Sequence, residues 1–109
     1  MKNNGFIMIP KNLFLNEKFK KLNNTQKICL IYLLIKSNSF RNPCFFMYHD
    51  EFHKLTNLSR VGVWRALSAL KILKIKFKSS KKQYQFDLTK FYQNWPQIKI
   101  SVSKMKQNK

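Results

Sequence analysis

The stretch HDEFHKLTNLSRVGVWRALSALKILK, residues 49–74, decides the fold. Its apolar side chains recur at spacings of three and four on each side of a short break. This pattern predicts two amphipathic helices that cross after a tight turn. We expect the facing sides of the two helices to bury the apolar residues Phe52, Leu55, Leu58, Val63, Ala66, Leu67, Leu70, Leu73 and Ile75.

The break between the two helices has the residues that a turn followed by a helix requires. Asn57 lies where one residue must take a left-handed conformation, which Gly adopts most easily and Asn next. Ser59 directly precedes the second helix and is predicted to cap it. The arrangement is that of a helix-turn-helix. His53 stands where a small residue usually lets the helices approach, so we expect it to disturb the close packing.

The segment HDEFH also invites a comparison with zinc enzymes. Their HExxH pattern needs a glutamate directly after the first histidine to act as general base. Here Asp50 follows His49, and Glu51 comes one position too late. His53 is the last histidine of the chain, and a third ligand would have to be Cys44. We therefore predict no metal and no cofactor, and we interpret Asp50 as an acid favoured by the helix dipole.

The residues before this motif predict a strand, an irregular segment and one long helix. The strand is expected over GFIMIP, residues 5–10, and ends at a proline. The next residues, 11–22, are predicted to present one apolar face made of Leu13, Phe14, Phe19 and Leu22. The helix at 23–38 is capped by Asn23 or Asn24 and is apolar nearly all round, so we expect it to be the buried central helix, with Cys29 a small hydrophobe inside it. A loop at 39–43 and a short strand or extended segment at 44–48 follow.

The residues after the motif predict a β-hairpin and a short helix. Strands at 75–79 and 84–88 flank a basic turn, SKKQ, at 80–83. The short helix at 89–95 is expected to begin at a Thr89 cap and to end at Pro96. We therefore predict a mainly α fold with a small β-hairpin (α+β), a winged helix-turn-helix, over residues 1–95. A basic tail follows at 96–109.

The charge of the chain indicates its partner. Lys and Arg number 22 against four acids, so the net charge is +18. An excess of that size predicts a polyanion, with nucleic acid first and an anionic membrane much less favoured. The longest apolar run, 28–35, is too short to span a membrane, and the N-terminus lacks the apolar core of a signal peptide. Two cysteines without a CxxC indicate no disulfide framework. We expect a cytoplasmic protein with no membrane partner.

The sequence does not predict an enzyme. There are only two glycines, which excludes a Gly-rich phosphate loop. Four acids without a pairing pattern, and no Ser-His-Asp set, leave no catalytic constellation.

The exposed face of the second helix is the predicted DNA-reading surface. Arg60 and Arg65 would each bind a guanine or a phosphate, or remain solvated charges. Trp64 would contact either DNA or a second subunit. Gly62, which is costly within a helix, indicates a close approach of DNA or a partner helix. The full predicted set on this helix is Ser59, Arg60, Val61, Gly62, Trp64, Arg65, Ser68 and Lys71.

The hairpin is predicted to contribute phosphate contacts. Lys76 and Lys78 share one face of their strand because the side-chain period is two. Lys81 and Lys82, with Gln83, form the tip and would straddle the DNA backbone or reach a minor groove. Lysines of the tail would add non-specific attraction, namely Lys99, Lys104, Lys106 and Lys109.

Two segments together carry a family resemblance. FIMIPKNLFLNEKFKKLNNTQKICLIYLLIKSNSF, followed by DEFHKLTNLSRVGVWRALSALKILKIK, resembles the N-terminal winged-helix domain of theta-type plasmid replication initiators of low-GC bacteria. The likeness covers residues 6–78. It implies binding to origin repeats as a dimer. That family carries further domains after this one, whereas this chain continues into the basic tail that ends at Lys109.

The chain is also similar to the centromere-binding adaptors of tubulin-type plasmid or phage partition systems. Those adaptors are small and dimeric. In them the recognition helix contributes to the dimer interface, a role that would suit Val61, Gly62 and Trp64.

The sequence therefore predicts a sequence-specific double-stranded DNA-binding protein of a plasmid or phage, acting at origin or centromere repeats in replication or partition. Its expected partners are direct repeats of DNA, a second copy of the chain, and a replication or partition protein. A small transcriptional repressor is one alternative. An RNA- or ribosome-associated basic protein is another, in which Phe45, Phe46 and the QYQF segment at 83–86 would stack bases on a sheet.

Overall fold

Six helices and three strands make up residues 9–98, the part of the chain that the computed structural model describes. The fold is mainly helical with one small antiparallel sheet, an α+β arrangement. A 3₁₀ turn at Leu70–Leu73 follows the fifth helix. The elements are α1 Lys11–Leu15, α2 Glu17–Lys20, α3 Asn24–Phe40, β1 Cys44–Tyr48, α4 His49–Thr56, α5 Arg60–Ala69, β2 Lys76–Ser79, β3 Gln83–Asp87 and α6 Thr89–Asn94.

Helix α3 begins at a capping box. The Asn23 side chain accepts the backbone N–H of Gln26 at 2.8 Å, and the Gln26 side chain accepts that of Asn23 at 2.8 Å. Of the two predicted caps, Asn23 is therefore the one used. The helix runs to Phe40, two residues into the predicted loop, and ends where Arg41 takes a left-handed conformation with φ 59°.

Only one side of α3 is buried, which corrects the prediction of a helix buried nearly all round. Cys29 and its neighbours on that side are inside, and burial raises the pKa of the Cys29 thiol to about 11, as expected for an inert core residue. Ile28 and Ile35 lie on the other side and are 49% and 46% exposed. None of the helices in the described residues is both long and apolar enough to cross a membrane.

The sheet has the strand order β1-β3-β2, with both pairs antiparallel. The predicted hairpin β2–β3 is confirmed, and the segment at 44–48 is a true strand that completes the sheet. Phe86 of β3 stands opposite Phe45 on one side and Phe77 on the other, so an aromatic row lines the inner face. Gln83 pairs with Tyr48 as the first residue of β3. Its predicted place in the hairpin turn is therefore wrong.

The Phe52 ring is the centre of the core. It is fully buried, with its centroid 5.7 Å from that of Tyr84 and 5.7 Å from that of Phe86 on the sheet, and 6.2 Å from that of Tyr32 on α3. The predicted helix-turn-helix core is otherwise buried except at two leucines. Leu58 is half-buried and Leu55 is 38% exposed. Leu55 lies on the outer side of α4, facing the exposed side of α3.

The N-terminal residues cover one edge of this core. Leu13, Phe19 and Leu22 are buried as predicted. Phe14 is exposed, with its ring edge against Phe19 at a centroid distance of 5.2 Å, so its predicted burial is wrong. The strand predicted at 5–10 lies outside the described residues up to residue 8, and the two residues that are described are not in a strand.

The turn between α4 and α5 is closed by one backbone hydrogen bond and by the side chain of Thr56. Asn57 has φ 62° and donates its N–H to the His53 carbonyl at 2.7 Å, as the prediction of a left-handed residue requires. Thr56 donates its hydroxyl to the Phe52 carbonyl at 2.8 Å and accepts the N–H of Leu58 at 3.2 Å. These bonds satisfy backbone groups that the helix end leaves free.

His53 does not lie between the helices, so the predicted disturbance of packing there is wrong. The side chain is exposed and its Nδ1 lies 2.7 Å from the Leu58 carbonyl oxygen, across the turn. The close approach occurs instead at Gly62. A Cβ added to Gly62 would stand 3.1 Å from the Leu58 Cβ. A side chain at this position would crowd Leu58 in the chain's own turn, which explains the glycine without an approach of DNA or of a partner helix.

Helix α6 is started by Asp87 and not by the predicted Thr89 cap. The Asp87 carboxylate accepts the Thr89 N–H at 2.9 Å. Hydrogen bonds from Thr89 hold the pKa of this carboxyl below its usual value. Beyond the helix, Ile98 is buried in the same core, three residues past the boundary predicted at residue 95. The tail lysines at 99, 104, 106 and 109 lie outside the described residues.

The left-handed turn residue gives a direct test of this geometry. Asn57→Ala should lower the free energy of unfolding by about 1 kcal/mol, because alanine adopts the left-handed conformation less readily than asparagine does. Asn57→Gly should stay within about 0.5 kcal/mol of the wild type. Urea unfolding of the three proteins measures both values. An alanine variant as stable as the glycine variant would contradict the left-handed turn.

Candidate nucleic-acid interface

Helix α5 begins at Ser59, as the sequence predicts. Ser59 has an extended backbone, and its hydroxyl oxygen accepts the N–H of Gly62 at 3.2 Å. The α-helix ends at Ala69, and the 3₁₀ turn continues it to Leu73. Lys74 then takes φ 70° and turns the chain into β2. The hydroxyl oxygen of Ser59 serves as the acceptor in the helix cap. The primary role of Ser59 is therefore structural.

Six of the eight residues of the predicted reading face are exposed. They are Ser59, Arg60, Val61, Trp64 and Arg65, with Lys71 in the 3₁₀ turn that follows α5. Ser68 differs: its hydroxyl oxygen is buried and has no hydrogen-bond partner among the described residues. Ser68 therefore does not present its hydroxyl to a ligand. Gly62 does not belong to the exposed face either, because a side chain at this position would contact Leu58.

Trp64 makes a contact within the chain that neither sequence hypothesis foresaw. Its ring meets the ring of Phe77 on β2 edge to face, with the centroids 6.4 Å apart. The ring is still 47% exposed. Trp64 therefore ties α5 to the hairpin with one side and offers the other side to solvent.

The hairpin tip is bonded to the start of α4, and the strand that follows the tip lies near the start of α5. Lys81 and Lys82 are exposed in the tip, and the Lys82 carbonyl accepts the N–H of His49 at 2.9 Å. Two residues later, Tyr84 is buried on β3. Burial raises the pKa of Tyr84, and the nearby positive charge of Arg60 offsets part of the rise. Arg60 is therefore close to the strand that leads away from the tip.

The other predicted hairpin residues point elsewhere. Lys76 and Lys78 are exposed on the outer face of the sheet, opposite Asp87 and Gln85 of β3. Gln83 shares that outer face, because it alternates with the inward-pointing Tyr84. The predicted site thus divides into two surfaces: α5 with the hairpin tip, and the outer face of the sheet.

Acidic residues are absent from residues 52–86, which form α5 and the hairpin as far as Phe86. Between Glu51 and Asp87 the chain has no Asp or Glu and nine Lys or Arg. The two flanking acids have partners of their own. Glu51 forms an ion pair with Lys36 at 3.2 Å, and Asp87 caps α6. The cations of α5 and the hairpin therefore have no acid of this segment to neutralise them.

The described residues offer no metal centre: nowhere among them do three His, Cys, Asp or Glu side chains come together to hold an ion. The rings of His49 and His53 stack with their centroids 6.2 Å apart. The Sγ of Cys44, the nearest candidate for a third ligand, lies 3.5 Å from an Asp87 oxygen.

Two exposed residues near the candidate site were not predicted from the sequence. Lys74 lines a cavity of about 590 Å³ along β2, together with Lys71, Lys76 and Lys78. Tyr48 is exposed on the outer face of β1. The alternation of CFFMY around a buried Met47 was the signal that could have placed Tyr48 outside, whereas nothing in the sequence marks Lys74.

Comparison of the chain with protein-family models, with curated proteins and with solved structures found no match in any of the three.

The Ser59 cap makes a prediction about stability. Ser59→Ala should lower the free energy of unfolding by about 1 kcal/mol, because α5 loses the acceptor for one of its free N–H groups. Ser59→Asp should retain the stability, since a carboxylate caps as well and suits the helix dipole. Thermal and urea unfolding of both variants measure this. Equal losses for Ala and Asp would show that the serine hydroxyl does not cap the helix.

Proposed function

We propose that this protein is a winged helix-turn-helix protein that binds double-stranded DNA with α5 and the hairpin tip. The order of elements, from α3 through β1, α4 and α5 to the β2–β3 hairpin, is compatible with that fold. The observation that carries the proposal is the acid-free, strongly cationic segment of residues 52–86, which forms α5 and the hairpin as far as Phe86.

Helix α5 has the dimensions and side chains for the major groove. An α-helix with its side chains is about 10–12 Å wide and the groove is about 12 Å wide, so the helix fits with its N-terminal half inward. Arg60 and Arg65 present planar guanidinium groups that suit the O6 and N7 atoms of guanine. Val61 presents an apolar surface for a thymine methyl group. Specificity would come from these three side chains.

The hairpin tip supplies phosphate contacts. Lys81 and Lys82 project from a turn whose position is fixed by the backbone bond between His49 and Lys82. Lysine is a point charge without a fixed fork geometry, so it neutralises phosphate without reading sequence. The tip would therefore add affinity and salt dependence equally on all DNA.

The resemblance to plasmid initiators and partition adaptors supports a role for the protein at repeated sites of a plasmid or phage. A homodimer would match such repeats, because one recognition helix covers about half a site. A transcriptional repressor would bind in the same way and differs only in where the site lies. Selection of bound duplexes from random DNA at near-physiological salt tests the proposal. A motif with a repeat spacing supports it, and tight binding without any motif contradicts sequence-specific reading.

Arg65 is the sharpest single test of base reading. Arg65→Ala should weaken binding to the selected site by about 1–3 kcal/mol, because a bidentate contact is lost. Arg65→Lys should weaken it nearly as much, since an ammonium keeps the charge and loses the fork. Fluorescence anisotropy with specific and scrambled duplexes measures both effects.

The matched control removes the same charge elsewhere. Arg41 is exposed after α3 in a left-handed conformation, which glycine tolerates, so Arg41→Gly should fold and bind the selected site normally. Wild-type affinity of Arg65→Ala for the selected site would exclude Arg65 as a reader.

The hairpin tip makes a separate prediction about salt. The double change Lys81→Ala and Lys82→Ala should weaken all duplexes alike and reduce the slope of log K against log salt by about 2, because each lost phosphate contact removes about 0.9. The control is Lys18→Ala with Lys20→Ala in α2, which removes the same charge outside α5 and the hairpin. A slope that the tip variant leaves unchanged would show that the tip does not lie on phosphate.

A further inference from the structure

The outer face of the sheet exposes two aromatic rings on one strand. Burial alternates along β1, with Phe45 and Met47 inside and Cys44, Phe46 and Tyr48 outside. Phe46 is 56% exposed and Tyr48 is 57% exposed. Residues two apart on a strand are about 7 Å apart, so the two rings lie side by side on the same face.

The strand register places polar and cationic side chains beside these rings. Phe46 stands opposite Gln85 of β3, which in turn stands opposite Lys78 of β2. Tyr48 stands opposite Gln83. One row across the sheet therefore runs from an aromatic ring through an amide to an ammonium group. Lys76 lies two residues from Lys78 on the same face.

Each member of the row matches one part of a nucleotide. An exposed aromatic ring can stack with a base, a glutamine amide can bond to the edge of a base, and a lysine neutralises a phosphate. The cationic surface continues past the strand, because Lys71 and Lys74 line the cavity along β2. The acid of this face, Asp87, lies at one end and is engaged by the Thr89 N–H.

We infer that the outer face of the sheet binds single-stranded DNA through Phe46, Tyr48, Gln83, Gln85, Lys76 and Lys78. A duplex hides the faces of its bases, so rings that stack on bases require an unpaired strand. The lysines favour a polyanion over an apolar protein surface, because a protein partner would have to bury their charges without compensation.

This surface is separate from the one proposed for duplex DNA. The inner face of the sheet carries Phe77, which contacts Trp64 of α5, whereas Phe46 and Tyr48 point away from it. The rings of the two surfaces therefore face opposite sides of the sheet. A protein with both would hold a duplex and an unpaired strand together.

The test measures oligothymidylate binding to the complete chain. The probe is a labelled strand of about 12 nucleotides, within the range of site sizes for single-strand binders. Phe46→Ala with Tyr48→Ala should weaken its binding at least about tenfold, whereas Phe46→Tyr with Tyr48→Phe should bind as the wild type does. Duplex binding should be unchanged in both variants. The matched control is Phe14→Ala, which removes another exposed ring outside the sheet.

Four results would overturn the inference. The first is that the double alanine variant binds the strand with wild-type affinity, and the second is that this variant loses duplex binding equally. The third is that the protein clearly prefers oligouridylate and binds it through the same rings. The fourth is that the rings support self-association of the protein in place of strand binding. The last result would make a second copy of the chain the occupant. Duplex binding is scored separately, so failure here is distinct from failure of the proposed function.

Discussion

Burial of the Phe52 ring is the interaction on which the rest of the structure depends. The ring belongs to the short helix α4 and contacts α3 through Tyr32 and the sheet through Tyr84 and Phe86. An eight-residue helix has little stability of its own, because helix nucleation is costly and tertiary packing supplies most of the stability. The position of α5 follows, since the turn that starts α5 is bonded to the last residues of α4. The direction of α5 is thus set by one buried aromatic side chain.

The second constraint is charge. A net charge of +18 on 109 residues repels itself, and the chain has only four acids to offset it. Those with defined partners serve the fold: Glu51 joins α4 to α3 through Lys36, and Asp87 starts α6. Neither lies within residues 52–86, which make α5 and the hairpin as far as Phe86. Lys76 stands opposite Asp87, but the repulsion among the cations of α5 and the hairpin tip is offset by no acid of this segment, and a bound polyanion would lower it.

The sequence predicted the helices, the hairpin and the left-handed Asn57 because each has a local signal: apolar spacing, alternation, or a turn residue. It failed where a distant partner decides. Leu55 fits the helical spacing yet is exposed, since α3 does not close over it. Gly62 was predicted to be approached by DNA or a partner helix, and only the folded turn shows that a side chain there would crowd Leu58. For the candidate site, spacing identified the exposed face of α5, but the burial of the Ser68 hydroxyl depends on neighbours that spacing does not encode.

The hydrogen bond between the His49 N–H and the Lys82 carbonyl joins the hairpin tip to α4 through backbone atoms alone. Side chains at positions 81 and 82 take no part in it. Replacement of these residues can therefore alter the charge of the tip without releasing it from the fold. Within this architecture, the strength of attraction to a polyanion can change during evolution independently of stability.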